Sequence, residues 1–171
     1  MLAAARRLFA AKGYEQTSVR AIAAAADVNQ ALVVTYFGGK EGLFMEAVGR
    51  FEVPRAPAGG TEGLGARLAH AYVERWENMP DDDPWPALAR SAVSHEGSAR
   101  LLRSALAEQY APLREVLGDS DEGRARMSMV QCLIGGMIME RYIYALEPAR
   151  SLPASSFEAA LAGLLQQAIS G

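Results

Sequence analysis

The fold is most tightly constrained between residues 17 and 44, TSVRAIAAAADVNQALVVTYFGGKEGLF, where two short helical patterns stand too close together for anything but a tight turn. In the first pattern Val19, Ile22, Ala23 and Ala26 recur at i, i+3, i+4 and i+7, the spacing of one buried stripe, with Thr17 and Ser18 ahead of it as capping hydroxyls. Ala26, Asp27 and Val28 are left for the turn. A turn that short needs a residue near left-handed geometry, and aspartate is among the few non-glycine types that tolerate it. The second pattern, from about Asn29 to Tyr36, turns Val33 and Phe37 inward and leaves Gln30, Ala31, Leu32, Val34, Thr35 and Tyr36 facing out. This is the layout of a helix-turn-helix, and it points to duplex DNA.

The outward residues are of the types a groove reader uses. Gln30 can pair with adenine through its amide, Leu32 or Val34 can meet a thymine methyl, and Thr17, Ser18, Thr35 and Tyr36 carry hydroxyls suited to phosphate. Asn29 joins this set at the start of the second helix, Arg20 can reach a base or a phosphate, and Ala31 is small enough to let the backbone approach. Lys40 opens the next helix, where the dipole disfavours a cation, so its placement implies a compensating anion such as phosphate. The plainer alternative is a solvated lysine beside Glu41.

These residues resemble the TetR family of bacterial transcriptional repressors: LAAARRLFAAKGY for a first helix, TSVRAIAAAADV for a second, NQALVVTYF for a recognition helix and GGKEGLF opening a fourth. The resemblance covers about the first 50 residues strongly, while GGMIMERYIYALEP looks like the long dimerisation helix of a subgroup common in actinobacteria. It implies an all-helical homodimer of about nine helices per chain. Such a dimer would grip a palindromic operator and release it when a small molecule enters the C-terminal domain. Two positions depart from the family pattern: Asp27 stands where glycine is usual, and Val34 where an aromatic residue or histidine is common. Met1 falls inside the first helix, ahead of which family members usually carry a short basic arm.

A net charge of −3 over 171 residues argues against a nucleic-acid binder when taken alone. Its distribution reverses that. Residues 1 to 50 hold six basic side chains (Arg6, Arg7, Lys12, Arg20, Lys40, Arg50) against four acidic ones, whereas residues 51 to 171 hold eleven against sixteen. One end suits DNA and the other does not. The alanine-rich, arginine-bearing start has the look of a transit peptide, yet Met1, Leu2, Ala5, Leu8 and Phe9 form a packing stripe that stops at Gly13. In the apolar stretch from Met127, 13 residues precede Glu140 and Arg141, short of the ~20 that span a bilayer, so no membrane partner is expected. A single Cys132 in an apolar run reads as a core filler in a reducing compartment, and the expected location is the cytoplasm.

Beyond residue 50 the patterns are helical, without strand alternation. PRAPAGGTEG is a proline and glycine linker, which divides the chain into a DNA-binding domain, 1–50, and an effector-binding and dimerisation domain, 51–171. Expected helices run from Lys40 to about Glu52, from a Thr61 cap to Asn78, from an Asp83–Pro84 start to His95, and from Ser98 to a break at Pro112 with remnants to Leu117. A long eighth helix follows over 121–146, and a ninth near 155–169. Soft and aromatic side chains suit an apolar effector pocket, and the candidates are Tyr72, Trp76, Met79, Trp85, Tyr110, Met127, Gln131, Ile134 and Met137. The eighth helix is apolar on nearly all faces, so a second buried face is implied, and Gly135 and Gly136 would admit a partner helix. Gly135, Gly136, Met139, Ile143, Phe157, Leu161 and Leu164 are therefore the candidate dimer contacts in a four-helix arrangement.

Enzymatic readings find little support. His70 and His95 fall on separate helices, no cluster has metal spacing, and the run Asp81, Asp82, Asp83 is a solvated cap rather than a calcium loop. No cofactor or catalytic residue is expected. The competing reading is a helical ligand carrier or enzyme that keeps the N-terminal bundle only as structure, and salt-sensitive duplex binding separates the two.

Overall fold

The computed structural model describes residues 1–48 and 61–171, and among them the chain is all-helical with no strand. The helices are α1 (Leu2–Gln16), α2 (Val19–Ala25), α3 (Ala31–Phe37), α4 (Lys40–Val48), α5 (Leu64–Glu77), α6 (Trp85–Ser91), α7 (Glu96–Gln109), α8 (Ala111–Leu117), α9 (Asp121–Met137) and α10 (Ala154–Ser170). A π-helical stretch, Ile138–Ile143, continues α9. The residues gather into two compact units, 1–48 with 80–108 and 61–79 with 109–171. Compaction thus follows a different line from the linker: α6 and most of α7 pack with the N-terminal helices. Residues 54–60 of the linker lie outside the described residues, as does the expected end of α4 at Glu52.

In the first unit Phe9, Ile22, Val33, Leu43, Phe44, Ala47 and Leu88 are fully buried and form one core. Burying each of the larger ones stabilises by roughly 1.5–3 kcal/mol before entropy is charged against it. Phe9, Phe44 and Tyr14 pack ring on ring, with centroids 4.9 to 5.9 Å apart. The expected stop at Gly13 is present as a break with φ 77 and ψ 169, after which one further helical turn runs to Gln16. Thr17 closes the break. Its buried hydroxyl donates to the carbonyls of Gly13 at 2.7 Å and Leu8 at 3.1 Å, so the α2 cap is Ser18 alone, which accepts from the Ala21 N–H.

Asp27 takes the left-handed conformation expected of it, φ 53, and the turn closes through the Val28 N–H on the Ala23 carbonyl. α3 then starts at Ala31, later than the pattern suggested, because the Asn29 side chain accepts the Ala31 N–H at 2.8 Å and holds the preceding residues as a cap. α4 butts against the end of α3 at Gly42, where any Cβ would lie 1.9 Å from the Phe37 carbonyl oxygen. α6 begins as expected with the Asp83 carboxylate accepting the Trp85 N–H, but it ends at Ser91 rather than His95. Ser98 does not open α7, which starts at Glu96; the serine is buried in the first turn.

In the second unit α5 lies along α10 so closely that a Cβ on Gly65 would stand 2.4 Å from the Gln166 backbone nitrogen. Leu64, Leu68, Tyr72 and Val73 of α5, Val130 and Ile134 of α9, and Leu161, Leu165 and Ile169 of α10 fill this interior. Thr61 does not cap α5. Gly63, at φ 67, precedes the helix, and the Thr61 carbonyl accepts from Leu64 and from the Gln166 amide. The long eighth helix expected over 121–146 instead ends its α-helical part at Met137. The reason is Arg141, 7% exposed, whose guanidinium donates to Glu77 at 2.8 and 2.9 Å, to the Leu152 carbonyl at 3.0 Å and to the Ala149 carbonyl. These bonds draw the 144–153 segment back over the helix, with Ala145 at φ 53.

Candidate nucleic-acid interface

α2 and α3 are held from beneath by Ile22, Ala23 and Val33, all buried, and the residues between these anchors face out. Leu32, Val34 and Tyr36 are 36%, 60% and 71% exposed, which is unusual for large apolar side chains on one seven-residue helix. Arg20, Asn29, Gln30, Ala31 and Thr35 are exposed with them, as is Ser18. The recognition candidates therefore come together on one surface, with one exception. Thr17, 2% exposed and already bonded, cannot offer its hydroxyl to a phosphate.

Several of the remaining groups are partly committed. Thr35 donates to the Ala31 carbonyl at 3.1 Å, so its proton must swing away before it can reach DNA. Asn29 has spent its side-chain oxygen on Ala31 and keeps both amide protons. Lys40 is neither a freely solvated lysine nor beside Glu41 as its partner. Its ammonium lies 4.2 Å above the Tyr14 ring and 3.4 Å from the Glu15 carbonyl, at the negative end of α1. Partial burial lowers its pKa from the usual lysine value, against the opposing pull of Glu15. Tyr14 and Glu15 escaped the sequence reading, which ended the first helix at Gly13. Arg6, counted in the sequence as one of six basic charges suited to DNA, instead donates to the Ala47 carbonyl at the end of α4 and faces Asp82 and Asp83 at 3.5 and 3.9 Å, so the aspartate run is not fully solvated and Asp83 is buried.

Of the effector candidates, Tyr72, Trp76, Tyr110, Met127, Ile134 and Met137 are buried in the second unit, while Met79 and Gln131 are half-buried there. Trp85 is not among them. It packs in the first unit against the core of Phe9 and Leu88. The Tyr72 hydroxyl accepts from Gln109 at 2.8 Å and is hydrogen-bonded to Tyr110, whose ring lies near-parallel at 6.4 Å. Burial raises both phenols, Tyr110 to about 12, and the hydrogen bond between them uses one of their two protons. No group of metal-ligating side chains occurs among the described residues. No described helix is long and apolar enough to cross a membrane.

The dimer candidates divide. A Cβ at Gly135 or Gly136 would meet nothing within 4 Å, and Leu164 is 51% exposed. Met139, Ile143 and Phe157 are half-buried, the last beneath the Arg141 guanidinium at 5.0 Å. Leu161 is 6% exposed and serves the chain's own core, leaving it no side chain to give a partner. Cys132, expected to fill the core, is exposed on α9.

Comparison with known proteins gives two family models: one described as bacterial regulatory proteins, tetR family, over residues 1–47, and one described as tetracyclin repressor-like, C-terminal domain, over residues 62–169. Among solved structures, a TetR-family regulator from Streptomyces coelicolor A3 is similar at 27% identity with a TM-score of 0.71, covering 99% of this chain and 92% of that one. No curated protein matches.

Proposed function

The chain belongs to the TetR family of bacterial regulatory proteins, and from that premise we propose that it represses transcription as a homodimer, each subunit laying α3 in the major groove of one operator half-site. The observation that carries this reading is the α3 surface. Three large apolar side chains stand exposed beside an amide and hydroxyls, while Val33 beneath them is fully buried. Gln30 reads a base edge, Leu32 and Val34 meet thymine methyls, Ala31 allows close approach, and Ser18, Arg20, Asn29, Thr35, Tyr36 and Lys40 hold the backbone. Residues 1–50 supply this grip, in the cytoplasm where the DNA is.

Residues 51–171 supply effector binding and dimerisation. The exposed positions of α10 from 155 to 167 are Ser155, Ser156, Ala159, Ala160, Gly163, Leu164 and Gln167, and those of α9 from 125 to 136 are Ala125, Ser128, Met129, Cys132 and Gly136. None is charged. An uncharged, small-residue face on two neighbouring helices fits a second copy packed helix on helix. An apolar effector with one hydrogen-bond acceptor suits the interior that contains Trp76, Met127 and Ile134 beside the hydrogen-bonded pair Tyr72 and Tyr110, which keeps one proton to donate. Its entry releases the operator. The test is a mobility-shift titration of duplex DNA flanking the chain's own gene: a discrete, salt-sensitive complex that candidate ligands dissolve is expected, and no preference over scrambled duplex would leave the helical carrier.

A further inference from the structure

Glu15 has contacts in two directions. Its carbonyl receives the Lys40 ammonium, and its carboxylate accepts the Ser98 hydroxyl at 3.1 Å. Ser98 is fully buried in the first turn of α7 and is itself bonded to Ser91 at 2.9 Å, at the end of α6, so hydroxyls run in a chain from Ser91 through Ser98 to Glu15. The fit is close. A Cβ on Gly97 would stand 2.5 Å from Glu15 Oε1, so glycine leaves the space that the carboxylate occupies over the positive end of α7. On its other side Glu15 belongs to the single helical turn after the Gly13 break, with Tyr14 wedged against Phe9 and Phe44 beneath the ammonium. That turn has no long helix behind it to fix its direction. Tyr14 packed on Phe9 and Phe44 anchors it from beneath, and the Thr17 hydroxyl at one end and the Ser98 hydroxyl on its side set its direction.

We infer that Glu15 and Ser98 are positioning residues for Lys40: the contact with α7 sets the turn that carries Tyr14 and the Glu15 carbonyl, and so sets where the ammonium stands to meet a phosphate. The inference rests on the DNA-binding reading above. It makes a contact between α1 and α7 part of the grip on the DNA backbone, acting without regard to base sequence.

Gly97→Ala tests it cleanly, because the new methyl displaces only the tip of a flexible carboxylate and alanine favours the helix it joins. Thermal stability should hold or rise while affinity for operator and for scrambled duplex falls together, by ~3 to 10-fold, and the salt slope drops by up to about one unit as a phosphate contact is lost. Glu15→Ala should act the same way. Glu15→Gln, which keeps an acceptor oxygen, should bind as the wild type does. In the Gly97→Ala background, Lys40→Ala should cost much less than it does alone. Unchanged affinity and slope in Gly97→Ala, equal losses in Glu15→Gln and Glu15→Ala, or full additivity with Lys40→Ala would each overturn the positioning role while DNA binding stands. A wild-type chain that binds no duplex would overturn both.

Discussion

Two surfaces expose apolar side chains that a solitary chain would gain by hiding, and they differ in what lies between those side chains. On α3 the exposed Leu32, Val34 and Tyr36 have the Thr35 hydroxyl among them and the Gln30 amide ahead of them, and Asn29 and Arg20 flank them. On α9 and α10 the exposed Met129 and Leu164 are separated by alanine, glycine, serine and cysteine. A surface that must match a groove lined with hydrogen-bonding edges keeps polar groups within reach of each apolar one. A surface that must meet another helix needs small residues and no charge, so that backbones approach and nothing polar is stranded. Apolar exposure alone does not identify a partner; the residues between do.

Three substitutions should separate the two surfaces. The largest effect is expected from Leu164→Glu, which leaves the single chain intact because the side chain is half-exposed, yet puts an unpaired charge into the helix contact. A loss of ~3 to 5 kcal/mol of association is expected. Sedimentation at micromolar concentration should show monomers, with operator affinity falling alongside; an undisturbed dimer would move the interface elsewhere. Gly136→Leu comes next. Its new side chain points into open space in one chain and into the partner in the proposed pair, at ~1 to 3 kcal/mol or more of overpacking. Scattering should show weakened dimers, with the melting temperature lower and more dependent on protein concentration.

Gln30→Ala should act on the other surface alone. A loss of ~1 to 3 kcal/mol on the operator, with scrambled duplex bound nearly as before, would assign it to a base edge. Equal losses on both would move it to the phosphate backbone.

The two surfaces were unequally legible in the sequence, for reasons particular residues make plain. The helix-turn-helix could be read because local rules decide it: Asp27 does take the left-handed turn, Gly13 does break α1, and Val33 does turn inward beneath exposed neighbours. Thr17 could not be placed, since choosing between a cap and a buried bond requires knowing that the Gly13 carbonyl lies 2.7 Å from its hydroxyl. Farther along, periodicity failed at Arg141. A basic residue near the end of an apolar helix reads as its polar limit, whereas here Glu77, 64 residues earlier, makes it the centre of a buried cluster that ends the α-helix. Leu161 and Leu164 show the same limit at finer grain: both lie on α10, and only packing against α5 and α9 decides which of them is left exposed.

A smaller effect tests the break itself. Thr17→Val keeps the shape of the side chain and removes its hydrogen bonds to Gly13 and Leu8, which should cost ~1 to 2 kcal/mol of stability in urea unfolding. Affinity of the folded fraction should fall alike on operator and scrambled duplex, as in Gly97→Ala, since this hydroxyl holds the turn beneath Lys40 and does not itself reach the DNA. A loss of affinity without a loss of stability would return Thr17 to the phosphate contacts.

The central claim is that two copies of this chain read one duplex through α3. Its most direct measurement is the stoichiometry and selectivity of binding to duplex DNA from the flank of the chain's own gene, by fluorescence anisotropy at two salt concentrations with sedimentation of the complex. The account predicts two chains per half-site pair, an affinity exceeding that for scrambled duplex by ~10³-fold or more, and a clear fall with salt. One chain per duplex, or equal affinity for both sequences, would contradict it.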